Sequence, residues 1–330
     1  MGESKVIQGL DPKEAHSILI IGIAGGLAHI CARLLLKKYP HLHIIGVDNR
    51  STKHLPKISN LQVQTMKYTR GQFEKLFREN KFDVVYHLGR LSHSSTSLRV
   101  SLAERLDLNI MGTGRILELS KKFQVKKVIL LSTFHVYGAL NDNPVYMKED
   151  SPLRASIKYP ELRDVTEMDQ LATAWMWKNK DEISTVIFRP CNIIGPQIKN
   201  TIGQYLRSKY APIGIDFNPM FQFIHEFDMS NILVHALEFL PTGIYNTAPD
   251  ETITLHDAKK RVSGRSVMVP IIGLEMTAKF IKHVWSFPDY LIDYIKYASI
   301  IDNSELKKYL PKDIFKFSTK ETLDLLGLEK

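Results

Sequence analysis

The stretch Ser17 to Leu36, SILIIGIAGGLAHICARLLL, decides the fold. Its twenty mostly apolar residues have the length of a membrane segment or of the core of a leader peptide. Three glycines, Gly22, Gly25 and Gly26, interrupt it, and His29 and Arg33 fall inside it. The period of the apolar residues also changes. Ile18 to Ile21 is a continuous aliphatic run, the pattern of a strand buried on both faces, whereas Leu27, Ile30, Cys31, Leu34 and Leu35 recur at helical spacing. The stretch reads as strand, tight glycine turn and helix, and the expected location is cytoplasmic.

The turn is the first element with chemistry. In Gly22-Ile-Ala-Gly25-Gly26-Leu-Ala28 small residues stand where a strand hands over to a helix. Glycine permits the sharp turn and lets backbone N–H groups approach a pyrophosphate at the positive end of the helix. An ordinary strand–helix turn is the plain alternative. The next aliphatic run, Ile44 to Val47, ends in Asp48, twenty-six residues after Gly22. A carboxylate there accepts hydrogen bonds from adenosine ribose hydroxyls and repels a 2′-phosphate. NAD is therefore the expected cofactor. Arg50 and Lys53 follow closely and favour that phosphate, so NADP stays open.

Further along, strand-like runs at Val84 to Tyr86, Lys127 to Ser132 and Ile183 to Phe188 alternate with helical stretches near Leu106 to Phe123 and Met168 to Trp177. Such alternation implies a parallel sheet covered on both faces. The Pro- and Asp-rich stretch from Asp142 to Pro160 reads as a loop beyond a strand's carboxyl end, where open sheets bind ligands. The composition agrees: 330 residues, 44% hydrophobic and 24% charged, exclude a disordered or collagen-like chain. Two cysteines, Cys31 and Cys191, cannot form a disulfide framework, and neither stands at zinc-ligand spacing. Of the net charge of +9, +8 falls in residues 31–81. No zinc finger, helix-turn-helix or RNA-binding signature accompanies it, so no nucleic-acid partner is expected.

Taken together these residues resemble the NAD-dependent epimerase/dehydratase group of the extended short-chain dehydrogenases/reductases. The glycine turn follows GxxGxxG with Ala28 in the third place, and Asp48-Asn49 matches the acidic end of the second strand. His87-Leu88-Gly89 resembles the HLA segment, and Asn109-Ile-Met-Gly112-Thr113 matches NxxGT. Ser132-Thr133-Phe-His135-Val136-Tyr137-Gly138 is similar to SSxxVYG, and Arg189-Pro190-Cys-Asn192-Ile-Ile-Gly195-Pro196 to RPxNxxGP. Phe223-Ile-His225-Glu-Phe-Asp228 and Gly243-Ile-Tyr-Asn246 complete the order. The resemblance implies an α/β fold, a Rossmann-type doubly wound parallel sheet with a smaller C-terminal substrate-binding lobe. The implied division is a tail over 1–16, a dinucleotide-binding domain over 17–190, and a lobe over 191–330 with segments returning to the first domain. It implies cofactor contacts from Gly22, Gly25, Gly26, Asp48, Asn49, Arg50, His87, Leu88, Gly89, Asn109, Ser132 and Pro190. Substrate contacts are expected from Arg90, Asn192, Met220 and Gln222, and a homodimer is implied as well.

The chain departs from the resemblance at the catalytic pair. Family enzymes use a Tyr-x-x-x-Lys in which tyrosine exchanges a proton with the substrate oxygen, lysine lowers its pKa, and a Ser or Thr holds the oxygen. Thr133 stands at the last of these positions. The nearest match to the motif is Tyr159-Pro-Glu-Leu-Arg163, with arginine for lysine and a proline better suited to a helix start. The family's spacing, applied back from Arg189, places Arg163 and Glu167 at the catalytic positions instead. His135, with a pKa suited to proton transfer, is the alternative acid/base; Glu167, Asp169 and Tyr146 are further candidates. Two functions follow. The first is an NAD(P)-dependent oxidoreductase, epimerase or dehydratase acting on a small hydroxyl or carbonyl substrate. The second is a catalytically degenerate NAD(H)-binding protein with a structural or sensing role. Residues 270–300 are apolar and aromatic with interspersed lysines, which fits a buried helix pair or peripheral contact with a membrane surface.

Overall fold

The computed structural model describes residues 10–89, 101–270 and 290–328. Its strands are β1 (Ser17–Ile21), β2 (His43–Asp48), β3 (Leu61–Thr65), β4 (Val84–His87), β5 (Lys127–Leu131), β6 (Ser184–Pro190) and β7 (Asn192–Ile194). After these come β8 (Pro212–Gly214), β9 (Met220–Phe221), β10 (Phe223–His225), β11 (Gly243–Thr247), β12 (Ile253–Thr254) and β13 (Val267–Val269). Seven strands form one sheet in the order β11-β6-β5-β4-β1-β2-β3, and every neighbouring pair is parallel. The chain runs outward from β1 through β2 to β3, then returns to lay β4 on the other side of β1. That reversal opens a crevice at the carboxyl ends of β1 and β4, the place where open parallel sheets take ligands.

The helices are α1 (Gly26–Lys38), α2 (Arg70–Glu79), α3 (Leu102–Leu106), α4 (Gly112–Lys122), α5 (Ala155–Lys158) and α6 (Arg163–Lys178). The C-terminal part adds α7 (Thr201–Arg207), α8 (Glu226–Phe239), α9 (Leu255–Val262), α10 (Tyr290–Lys296), α11 (Ser304–Lys307) and α12 (Thr319–Leu328). Because side chains alternate along a strand, the aliphatic run of β1 feeds two cores. Ile18 and Ile20 join a core with Cys31 and Leu35 of α1 and Leu233 of α8. Leu19 and Ile21 join the opposite core with Phe73 of α2, Ile116 of α4 and Met168 of α6. Continuous apolar strands are what a sheet covered on both faces requires.

Two buried lysines tie helices down. Lys127, fully buried in β5, donates to the carbonyls of Ala236, Leu237 and Leu240 at the carboxyl end of α8. Lys259 does the same for the carbonyls of Tyr205 and Leu206 at the end of α7. Each places cationic donors on otherwise orphaned carbonyls at the negative helix end. Burial pushes their pKa values down, to about 7 for Lys127 and about 8 for Lys259.

The expected elements are present with shifted limits. The helix expected from Met168 begins at Arg163, and the loop from Asp142 to Pro160 contains the short α5. The helix expected near Leu106 to Phe123 is interrupted by a wider π-type turn over Asp107–Met111. The strand β11, from residues assigned mainly to the lobe, is the sheet edge beside β6. No helix among the described residues is long and apolar enough to cross a membrane. Residues 271–289, most of the segment weighed for surface contact, lie outside the described residues.

Candidate functional site

The glycine turn sits at the crevice. Gly22 has φ +93°, a conformation that costs an L side chain energy, and its N–H donates to the Val47 carbonyl at 2.8 Å. A Cβ there would lie 2.4 Å from the Gly89 Cα, so the ends of β1 and β4 approach closely only because both residues are glycine. Gly25 is the N-cap of α1 with no side-chain cap, which leaves the first N–H groups of the helix open to a ligand. A Cβ on Gly26 would lie 2.5 Å from the carbonyl oxygen of Gln197, so the loop after β7 presses on the helix start.

A cleft of about 790 Å³ opens from this turn across the carboxyl ends of β4, β5 and β6. Among the described residues no acidic side chain lines it. The charged lining residues are Arg33, Arg50 and Lys199, joined by His29, His54 and His135. Asp48 lies beneath the wall with 1% of its surface exposed, held under the guanidinium of Arg50.

At the other end stand Ser132 and Thr133, directly after β5. The Ser132 hydroxyl donates to Asp169 on α6 at 2.5 Å, and Asp169 takes two further bonds from Arg189, at 3.0 and 2.6 Å. Arg189 also donates to the Tyr137 hydroxyl, which donates to Asn246 on β11. This buried network uses the RP arginine to hold strand ends and helix together. Thr133 lines the cleft, and its Oγ1 accepts from the His135 N–H at 3.3 Å. The His135 ring packs against Phe134, Tyr294 and Tyr290, with centroids at 4.3, 4.8 and 5.8 Å.

The motif order and this crevice point to one family. A profile of the NAD dependent epimerase/dehydratase family matches residues 18–248. The chain belongs to that family. Relatives include an uncharacterized protein of Mycobacterium tuberculosis, 26% identical over 244 residues that are 72% of this chain and 64% of that one. This chain thus matches less than two thirds of that relative's length. A UDP-glucose 4-epimerase of Streptococcus mutans is 25% identical over 289 residues, 76% of this chain and 83% of the epimerase. Among solved structures, an NAD complex of dTDP-glucose 4,6-dehydratase from Bacillus anthracis superposes with TM-score 0.72 at 18% identity, covering 95% and 96% of the two chains. At that identity the likeness is one of fold.

Within this epimerase/dehydratase fold, the positions expected from the motifs divide. Gly22, Gly25, Gly26, Arg50, Leu88, Gly89, Ser132, Thr133, His135, Pro190 and Asn192 all line the cleft. Asn49 does not line it, and His87 points away, its Nε2 2.9 Å from Thr113 of α4. Asn109 is buried in the π-type turn and donates to Asp164 at the start of α6, at 2.7 Å, rather than facing a cofactor. Of the three described substrate positions, Asn192 alone lines the cleft. Gln222 is spent on backbone groups of Pro249 and Ile301, and of the two residues of β9, Met220 and Phe221, it is Phe221 that lines the cleft. Arg90 lies outside the described residues.

The catalytic expectation changes most. Tyr159 does not line the cleft. Its hydroxyl, which carries a single proton, lies 2.7 Å from the Asp293 carboxylate of α10 and 3.0 Å from the Ala139 carbonyl, so both acceptors share the one donor. Burial, then Asp293, push its pKa up, opposite to the depressed value a proton-exchanging tyrosine needs. Pro160 explains the placement: it opens a single 3-10 turn, so residue 159 stays extended and precedes α6. Arg163 is exposed on the first turn of α6 and pairs with Glu167 one turn on, at 2.5 Å. Neither lines the cleft. His29, Arg33 and His54 were not expected. The i, i+4 spacing of the first two on α1 was the available signal, but only folding brings His54 to them.

Proposed function

We propose that this protein binds a nicotinamide dinucleotide in the cleft and serves as a ligand-holding member of the family, in a structural or sensing role. The observation that carries this reading is the position of Tyr159, bonded to Asp293 and Ala139 away from the cleft that holds the glycine turn and Thr133. The cleft fits the dinucleotide by its own geometry. The Gly22–Gly89 approach leaves the backbone bare where a pyrophosphate must come close, and the uncapped start of α1 supplies N–H donors. Bound nicotinamide would supply or accept hydride; Thr133 would hold an oxygen beside it.

A second reading keeps catalysis, because Thr133 and His135 stand together at the end of β5 in the same cleft. His135 would then exchange the proton with a small hydroxyl or carbonyl substrate. One experiment separates the two. The purified protein is titrated with NADH and NADPH by nicotinamide fluorescence, then offered nucleotide sugars and apolar ketones while the redox state of the nucleotide is followed. Binding without turnover supports the ligand-holding role. Turnover that falls about a hundredfold or more in His135→Ala and Thr133→Val supports the second reading. Absence of nucleotide binding overturns both.

A further inference from the structure

Around the adenosine end of the cleft the charges are arranged against the simplest sequence reading. The Asp48 carboxylate accepts four N–H donors. Oδ1 takes the Arg50 backbone N–H and Nε, at 2.9 and 3.0 Å, while Oδ2 takes the Ala24 N–H and Arg50 Nη2, at 3.0 and 2.9 Å. A carboxylate offers about four lone-pair sites, so none is left for ribose hydroxyls. The same bidentate pair neutralises the charge that would repel a 2′-phosphate. The Asp48 side chain is 2% exposed and that of Arg50 61%, so a ligand meets the guanidinium and not the carboxylate.

Three other groups share this wall. Arg33 and His54 are exposed, and Arg33 makes no ion pair among the described residues. His29, one helical turn before Arg33, is 5% exposed and lines the cleft, yet neither ring nitrogen has a hydrogen-bond partner. Both nitrogens are shielded from solvent, so the ring packs within the wall and does not present its N–H to the cleft. Burial, with Arg33 and His54 nearby, lowers its pKa.

We infer that this wall is a 2′-phosphate site, formed by Arg50, Arg33 and His54, and that the cleft selects NADP(H) over NAD(H). The inference rests on the dinucleotide reading above and specifies it. Arg50 shields Asp48 and presents its remaining N–H groups to the phosphate, Arg33 supplies the second charge, and His54 stands exposed beside them. Of the cations in residues 31–81, Arg33 and Arg50 are the two that line the cleft, and their field favours the extra anion.

The test is a set of fluorescence titrations with NADPH and NADH, with 2′-AMP and 5′-AMP as competitors that probe the adenosine end alone. NADPH is expected to bind at least about tenfold more tightly than NADH, the worth of one charge-assisted hydrogen bond. The advantage should shrink as salt is raised. Arg33→Ala should weaken NADPH and leave NADH unchanged. Arg50→Ala should weaken NADPH and tighten NADH, because the Asp48 carboxylate is released to ribose hydroxyls; thermal unfolding of both variants confirms that they fold. Equal or tighter binding of NADH, or competition by 5′-AMP alone, overturns the inference while leaving dinucleotide binding intact. Failure of all four nucleotides to bind overturns the dinucleotide reading itself.

Discussion

The two ends of the cleft differ in how their parts are spent. At the glycine turn the distinctive residues face the cleft: Gly22 and Gly89 clear the backbone, and Arg50 forms the wall. At the start of α6 the distinctive residues face away. Tyr159 is bonded to Asp293, Arg163 to Glu167, and Asn109 to Asp164. On the proposed reading the glycine-turn end is the ligand site, and the α6 end is scaffold that carries the nearest match to the catalytic motif. A motif match and a functional match are separable within one domain, because spacing along the chain does not fix which way a side chain points.

The largest expected effect concerns the scaffold that both ends share. Asp169→Ala leaves the buried Arg189 guanidinium and the Ser132 hydroxyl without their partner, and should cost about 3–5 kcal/mol in denaturant unfolding. A cost below about 1 kcal/mol would show that the network does not hold the strand ends. Next, Gly22→Ala forces a Cβ to within 2.4 Å of Gly89 at φ +93°, and should remove nucleotide binding while costing about 3 kcal/mol. Unchanged nucleotide affinity would place the ligand away from the turn.

A third expectation concerns pH. Burial holds His87 at a pKa of about 4, below its ordinary 6.5. The stability gained by keeping this ring neutral is fully present above pH 6.5 and is lost as pH falls toward 4, by about 3 kcal/mol at the limit. The difference between the chain and His87→Gln, followed by chemical denaturation between those pH values, should show this slope. The smallest effect sharpens the comparison most. Tyr159→Phe should cost about 1 kcal/mol of stability, for the bonds to Asp293 and Ala139, and leave nucleotide affinity unchanged. A hundredfold loss of any turnover in that variant would return Tyr159 to the reaction.

Much of the sheet was legible because β1, β4, β5 and β6 are short, continuous apolar runs, the pattern that burial on both faces imposes. The edge strand β3, Leu-Gln-Val-Gln-Thr, was not legible, since one exposed face makes it half polar and places it among loop-like residues. The start of α6 was misplaced because its first turn, Arg163 to Glu167, carries charges and only one apolar side chain, Val165. In the site, the glycines could be read from sequence because backbone clearance admits almost no other residue. Met220 and Gln222 could not, because a one-residue alternation in β9 decides that Phe221 faces the cleft.

By itself, then, the sequence determined the class of sheet, the glycine turn and the family, since each rests on local periodicity or on residues that backbone geometry forces. Tertiary structure alone decided which polar side chains are free to act. Asp48, Tyr159 and Asn109 are all correct in type, yet each meets its partner across the fold or is capped by a neighbour. Hydrogen-bond capacity is finite, and a side chain whose lone pairs or protons are already taken within the protein has none left for a ligand.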